Sequence, residues 1–324
     1  MRCGCPVPGP PKEKGPMSNR PLNAQILCSD MPPISCASEG VSCSIDSIRV
    51  KWTYPAFFSD PAGNLVDSCE HVYKRLCDPD NVMLSVMLSK RSYKIGTYAF
   101  CITLRDDSDH SATVLIGRYG PNQREPYPEA VLDVNPAKCD SSLVSFIVRS
   151  LSLGSDSPPS VVRYDLAIDL PLPRDQVYLL PENGRHYCKI VNSDHAMTEY
   201  IGRRQHHGYI KLYDKTAEAS LDRIVTRLEL TIDFDHEIPR FIPNVVIYDN
   251  GVLDDDPVLV QCMILHPDLI PLVKSRVSRN TWSSYKKLLA ERQVVGWSFE
   301  PEFYEHVCAM VLNFFSWLSV YGLF

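Results

Sequence analysis

Residues 161–169 read Val-Val-Arg-Tyr-Asp-Leu-Ala-Ile-Asp. Successive side chains on a strand point to opposite faces. Val162, Tyr164, Leu166 and Ile168 therefore share one face, and Arg163, Asp165 and Asp169 share the other. Two later segments sort in the same way. In 208–215 (Gly-Tyr-Ile-Lys-Leu-Tyr-Asp-Lys), Ile210 and Leu212 turn inward, opposite Tyr209, Lys211 and Tyr213. In 225–232, Leu228, Leu230 and Ile232 oppose Arg227 and Glu229. As neighbours in one antiparallel sheet, these strands would gather carboxylates, arginines, a lysine and tyrosines on a single open face.

Working outward, the alternation of 44–52 (Ser-Ile-Asp-Ser-Ile-Arg-Val-Lys-Trp) predicts a strand, as do 98–104, 112–117, 129–135 and 186–191. A hairpin is expected across 105–111. Helical spacing of apolar residues predicts helices over 67–77 and 141–151. After 240 helical patterning takes over, in 256–277 (broken at Pro267 and Pro271), 281–293 and 302–324. The expected class is α+β: an antiparallel β-sheet domain over 41–240 with helices packed on one face, then a mostly helical C-terminal unit over 241–324. The boundary is expected near Pro239–Pro243. Residues 1–40 are rich in Pro and Gly and are expected to be a disordered leader.

The chain has 324 residues, 44% hydrophobic and 22% charged, with a formal net charge of −6. That is enough apolar content for a sizeable core. The acidic balance excludes a uniformly basic coat, so any nucleic-acid contact must come from a local patch. The twelve cysteines are scattered, lack CxxC spacing and follow no secretory signal, which points to reduced thiols and a cytoplasmic protein. Cys3 and Cys5 lack two further nearby ligands for zinc.

Clustered carboxylates are hard oxygen ligands suited to Mg²⁺ or Mn²⁺, which bind through a few carboxylates plus water and phosphate oxygens. A tyrosine hydroxyl, with an ordinary pKa of about 10, needs help to become a nucleophile. Lys211 would supply it, and an arginine fork such as Arg227 would hold a phosphate. Alternation alone fits equally an ordinary solvent-facing sheet, in which Arg–Asp cross-strand pairs are common.

Four segments in order, 162–169 (VRYDLAID), 199–204 (EYIGRR), 209–218 (YIKLYDKTAE) and 226–230 (TRLEL), resemble the Rep_trans family of trans-acting rolling-circle replication initiators of plasmids and phages. Relatives of that family act as relaxases of integrative elements. DVNPAK at 133–138 resembles a further family strand. The resemblance covers roughly 41–235. It implies that Tyr213 is a nucleophile that nicks DNA and retains the 5′ phosphate covalently, and that Asp165 and Glu229, with Asp169 as an addition, form the Mg²⁺ or Mn²⁺ site. Where the family has small polar residues after its Gly-x-Arg turn, this chain has Arg204-Gln205-His206-His207. Adjacent His206 and His207 would point to opposite sides of a strand and fit a His-hydrophobic-His metal motif poorly.

DNA contacts are expected from Arg163, Arg203, Arg204 and Lys215. A second basic group, Lys274, Arg276, Arg279, Lys286, Lys287 and Arg292, interleaves with Trp282 and Tyr285. It is expected to be either a duplex-binding patch or a solvated face, its later members lying on a helix over 281–293 capped by Asn280. The uncharged run 307–324 is interrupted by Asn313, Ser316 and Ser319 and is followed by no basic residue, which favours a packed helix over a membrane anchor. The partners implied are origin and single-stranded DNA and a host helicase, and a homodimer on inverted repeats is compatible. The rivals are a relaxase at a transfer origin and a non-catalytic DNA-binding module.

Overall fold

The computed structural model describes residues 31–38, 40–60, 62–77, 85–88, 97–105, 111–122, 124–182, 184–192, 196–248, 256–266 and 269–320. Most of the expected leader, with Cys3 and Cys5, lies outside them, as do the tip of the 105–111 hairpin and the last four residues. The chain from Met31 onward is one compact unit.

Its elements in order are β1 (Ser35–Ser38), β2 (Val41–Thr53), β3 (Phe57–Ser59), β4 (Leu65–Asp67), α1 (Ser68–Leu76), β5 (Ser85–Leu88), β6 (Thr97–Arg105), β7 (Ser111–Tyr119), β8 (Tyr127–Val134), α2 (Ser141–Ser152) and β9 (Ser160–Leu170). They continue with β10 (Val177–Leu179), β11 (Tyr187–Val191), β12 (Met197–Ile201), β13 (Ile210–Asp214), α3 (Lys215–Ala219), β14 (Thr226–Asp233), β15 (Phe241–Tyr248), α4 (Val258–Leu265), α5 (Ile270–Arg276), α6 (Arg279–Arg292), β16 (Gln293–Ser298) and α7 (Pro301–Val320). The fold is α+β, with a large antiparallel sheet in the order β11-β12-β13-β14-β9-β2-β8-β7-β6-β5. That order is a mirror in chain sequence. In each half the first strand (β2 or β9) lies innermost, the last (β8 or β14) lies beside it, and the others follow outward.

Side-chain alternation explains why the sheet has one dry face. Ile45, Ile48, Tyr164, Leu166, Ile168, Leu228, Leu230 and Ile232 are all buried in one core with Val72 and Leu76 of α1, Ile147 and Leu151 of α2, and Val307, Phe314 and Leu318 of α7. Helices thus cover one face, and the other stays open. Three helices begin on an aspartate whose carboxylate accepts from the first turn, Asp67 for α1, Asp140 for α2 and Asp214 for α3, which satisfies donors that would otherwise be orphaned. Val162 departs from the expected alternation and is 40% exposed, because the β2–β9 register shifts between Arg49 and Val50.

Two expectations about organisation change. Residues 35–38, assigned to the leader, form β1 and pair with β2. At the boundary expected near 239–243, β15 instead pairs with β10 and β16 in a three-stranded sheet. Residues after 240 form a smaller core on that sheet, around Val246, Val260, Met263, Ile264 and Leu289, while α7 returns to the main core. The two parts are joined because β10 belongs to the connection after β9. Among the described residues no helix is long and apolar enough to cross a membrane, α7 included.

Candidate active site

Strand register arranges the open face as a grid. Tyr213 is opposite Arg227 and Lys211 is opposite Glu229, and Thr231 N–H donates to Tyr209 O at 2.9 Å. Across the next pairing, Arg227 faces Asp169, Glu229 faces Ala167 and Thr231 faces Asp165. The rows are therefore Tyr209–Thr231–Asp165, Lys211–Glu229–Ala167 and Tyr213–Arg227–Asp169, with Glu229 in the middle. The predicted site residues do come together, though not all on one point. Tyr213 and Asp165 occupy opposite corners, roughly 13 Å apart along the strands and two strand spacings across. Glu229 links them.

Tyr213 is 6% exposed, and its hydroxyl donates to Glu229 Oε1 at 2.7 Å. Glu229 Oε2 accepts from Lys211 Nζ at 3.1 Å, and the same ammonium lies 3.9 Å from the centre of the Tyr213 ring. Burial, then the charge of Glu229 and the hydrogen bond to it, raise the Tyr213 pKa well above the usual phenol range. The phenol is therefore neutral at physiological pH, with a carboxylate oxygen in hydrogen-bond reach of its proton. Directly after Tyr213, Asp214 caps α3 by accepting from Ala217 N at 2.9 Å, which turns the chain sharply.

Asp165 accepts from the Thr231 hydroxyl at 2.6 Å. Its pKa is raised by burial, against the pull of that hydrogen bond, and the neighbouring Glu229 charge raises it further. Two carboxylates share this part of the face, and Lys211 reaches only Glu229. The Arg163 charge acts on Asp165 as well, and the two carboxylates are hard oxygen donors that could hold a divalent cation together with water and substrate oxygens.

Asp169 and Arg227 depart from expectation. Arg227 donates to both oxygens of Asp169, at 2.6 and 2.9 Å, and to Asp46 at 3.1 Å. The arginine is spent on two acids and is not a free phosphate fork, and Asp169 is neutralised and does not fit the metal. Lys215 is buried and paired with Glu218, with its ammonium 5.9 Å from the Tyr213 ring, so it is no surface phosphate contact.

Beside this grid lies a cleft of about 1120 Å³ whose lining includes Arg163, Asp165, Tyr200, Arg203, Arg204, Tyr209, Lys211 and Glu229. Tyr213 faces a smaller adjoining pocket of about 240 Å³, and Lys211 borders both. The cleft also takes Ser47 and Asp133 from the first half of the sheet. Asp133 is paired there with Arg49. Sequence reading missed these because they come from the other half of the duplicated topology. His206 and His207 sit in the exposed turn after β12; His207 Nδ1 accepts from Asp233 N at 3.3 Å and its ring stacks on His236.

Of the C-terminal basic group, Lys274, Arg276, Arg279, Lys286 and Lys287 are exposed. Arg292 instead donates to Asp256 at 3.1 and 3.4 Å and holds α6 to the start of α4. Asn280 lies inside α6, and Ser278 supplies the cap, accepting from Thr281 N at 3.1 Å.

No protein-family model matches the chain, and no curated protein matches it. Among solved structures it is similar to that of a rolling circle replication initiator protein from Geobacillus stearothermophilus, with a TM-score of 0.35 and 13% identity over 60% of this chain and 76% of that one.

Proposed function

We propose that this protein initiates rolling-circle replication by nicking and rejoining single-stranded DNA through Tyr213. The observation supporting the reading is the hydrogen bond from the Tyr213 phenol to Glu229 beside Asp165, because a neutral phenol with an adjacent carboxylate is a nucleophile supplied with its base. The phenol oxygen attacks the scissile phosphorus as its proton passes to Glu229. The bond from phosphorus to the 3′ oxygen breaks, and that oxygen takes a proton from water. The 5′ phosphate remains on Tyr213, and attack by a free 3′ hydroxyl reverses the step.

Lys211, between the two pockets, offsets the charge that develops on the phenol and phosphate oxygens. Mg²⁺ or Mn²⁺ held by Asp165 and Glu229 would supply polarisation of the phosphodiester. Arg163, Arg203 and Arg204 bind the sugar-phosphate backbone along the cleft, and the exposed basic residues of α5 and α6 bind duplex DNA.

The test is incubation of single-stranded circles and oligonucleotides with the full chain and Mn²⁺, scored for a denaturation-resistant protein–DNA adduct. The expected result is an adduct carrying the 5′ phosphate, absent with Tyr213→Phe. An adduct formed by Tyr213→Phe, or DNA bound but uncut with either metal, would overturn the reading, the latter in favour of a binding module.

A further inference from the structure

Tyr200 and Tyr209 have no part in the chemistry above, yet both line the large cleft. Tyr200 is opposite Lys211 in the β12–β13 pairing, so Tyr209, two residues before Lys211, is its diagonal neighbour on the open face. Their ring centroids are 6.1 Å apart with planes inclined by only 22°, and both rings are half-buried. The result is a broad aromatic surface with one side turned to the cleft. The turn beside it carries Arg203 and Arg204, both exposed.

That turn is braced. The Arg185 guanidinium donates to Gly208 O, and Arg163 Nη1 donates to Gln205 O at 3.3 Å. Gly202 has φ 91°, and a Cβ there would meet the Arg185 guanidinium at 3.0 Å. Only glycine suits so tight a bend under that brace. An aromatic surface beside exposed guanidiniums on a braced turn combines the two elements that hold a single strand, base stacking and backbone charge. A base within a duplex is already stacked on both sides and cannot offer its face.

We propose that Tyr200 and Tyr209 form a stacking shelf for one unpaired nucleobase of single-stranded DNA, setting which phosphate is presented toward Lys211 and Tyr213. The inference rests on the DNA-nicking reading for the identity of the strand. The shelf is a positioning device, and Arg203 and Arg204 on the adjoining turn bind the backbone beside the seated base.

The test uses the full chain without divalent metal and oligodeoxynucleotides in which a single 2-aminopurine is walked along a fixed sequence. The expected result is fluorescence quenching confined to one or two adjacent positions, lost in Tyr200→Leu/Tyr209→Leu and kept in the double Phe variant. Binding should weaken by about tenfold or more in the Leu variant, the scale of losing a stacked base. An abasic nucleotide at the quenched position should weaken binding by the parent protein likewise, a readout that needs no variant to fold. Uniform quenching, or equal binding of abasic and intact strands, would overturn the shelf. If the parent cuts DNA through Tyr213 while showing either of those results, the shelf falls and the nicking reading stands. If the quenched position depends on the tyrosines but Mn²⁺ never yields an adduct, the shelf stands and nicking falls. If the oligonucleotides do not bind at all, both fall.

Discussion

The Tyr213 hydroxyl and Glu229 Oε1 are 2.7 Å apart, and the second oxygen of Glu229 is held by Lys211 at 3.1 Å. One carboxylate thus accepts from the phenol proposed as nucleophile and anchors the ammonium that flanks it. Glutamine at 229 keeps an oxygen for the phenol to donate to but cannot take up a proton. Glu229→Gln should slow adduct formation by about 10²- to 10⁴-fold, the contribution of a positioned general base, with single-stranded DNA still bound in a gel shift. Adduct formation at the parent rate in single-turnover conditions would remove Glu229 from that role.

Asp165 and Asp169 lie on the same strand face and should respond oppositely to substitution. The Asp165 carboxyl is raised above 3.8 by burial and by Glu229, so the fold favours its protonated form. That stability is complete below the unfolded value and is lost as pH rises through the folded one. At neutral pH Asp165→Asn should therefore raise the unfolding midpoint of the metal-free protein and abolish the further rise that Mn²⁺ brings to the parent. Asp169→Asn, which strips Arg227 of its bidentate partner, should lower the midpoint and leave the Mn²⁺-dependent rise in place. Thermal melts with and without Mn²⁺ decide it; a lost Mn²⁺ response in Asp169→Asn would return that residue to the metal set.

Alternation in 161–169, 208–215 and 225–232 is enough to place Asp165, Glu229, Lys211 and Tyr213 on one face, because period-two patterning is a local property. Register is not local. Whether Tyr213 stands beside Asp165 or two rows away depends on how β13, β14 and β9 align, and that alignment sets Arg227 against Asp169 and Glu229 in the centre. The same reasoning covers Arg292, whose partner Asp256 is 36 positions away. The mirrored topology was equally hidden: β2 and β9 play the same part in the sheet with unlike sequences, and turn chemistry and core volume leave that freedom.

Glu199 is fully buried and pairs with Arg174 at 2.5 Å, and it also accepts from Tyr187 OH at 2.6 Å and Leu179 N at 3.3 Å. These contacts tie β12 and β11, at the outer edge of the cleft, to β10 of the smaller sheet. Removing one charge strands the other in a dry interior. Glu199→Gln or Arg174→Met should each cost about 3–5 kcal/mol, read as a shift of the denaturant midpoint. The double variant Arg174→Met/Glu199→Gln should recover part of the loss, and additive losses would argue against direct coupling.

The exposed lysines and arginines of α5 and α6 make a different kind of prediction, since a phosphate contact betrays itself in salt dependence while a structural ion pair does not. Each phosphate neutralised releases counterions, and log affinity falls against log salt with a slope of about −0.9 per contact on duplex DNA. Lys286 and Lys287 are exposed, and the latter has only a loose 3.7 Å contact with Glu291. Lys286→Gln/Lys287→Gln should lower duplex affinity and make the slope shallower by up to about two contacts, at unchanged stability. Arg292→Gln should do the reverse. Its guanidinium holds Asp256, whose side chain is 4% exposed, so the loss should appear in the unfolding midpoint while the salt slope stays that of the parent. An unaltered slope in the lysine double variant would leave this face as a solvated helix surface.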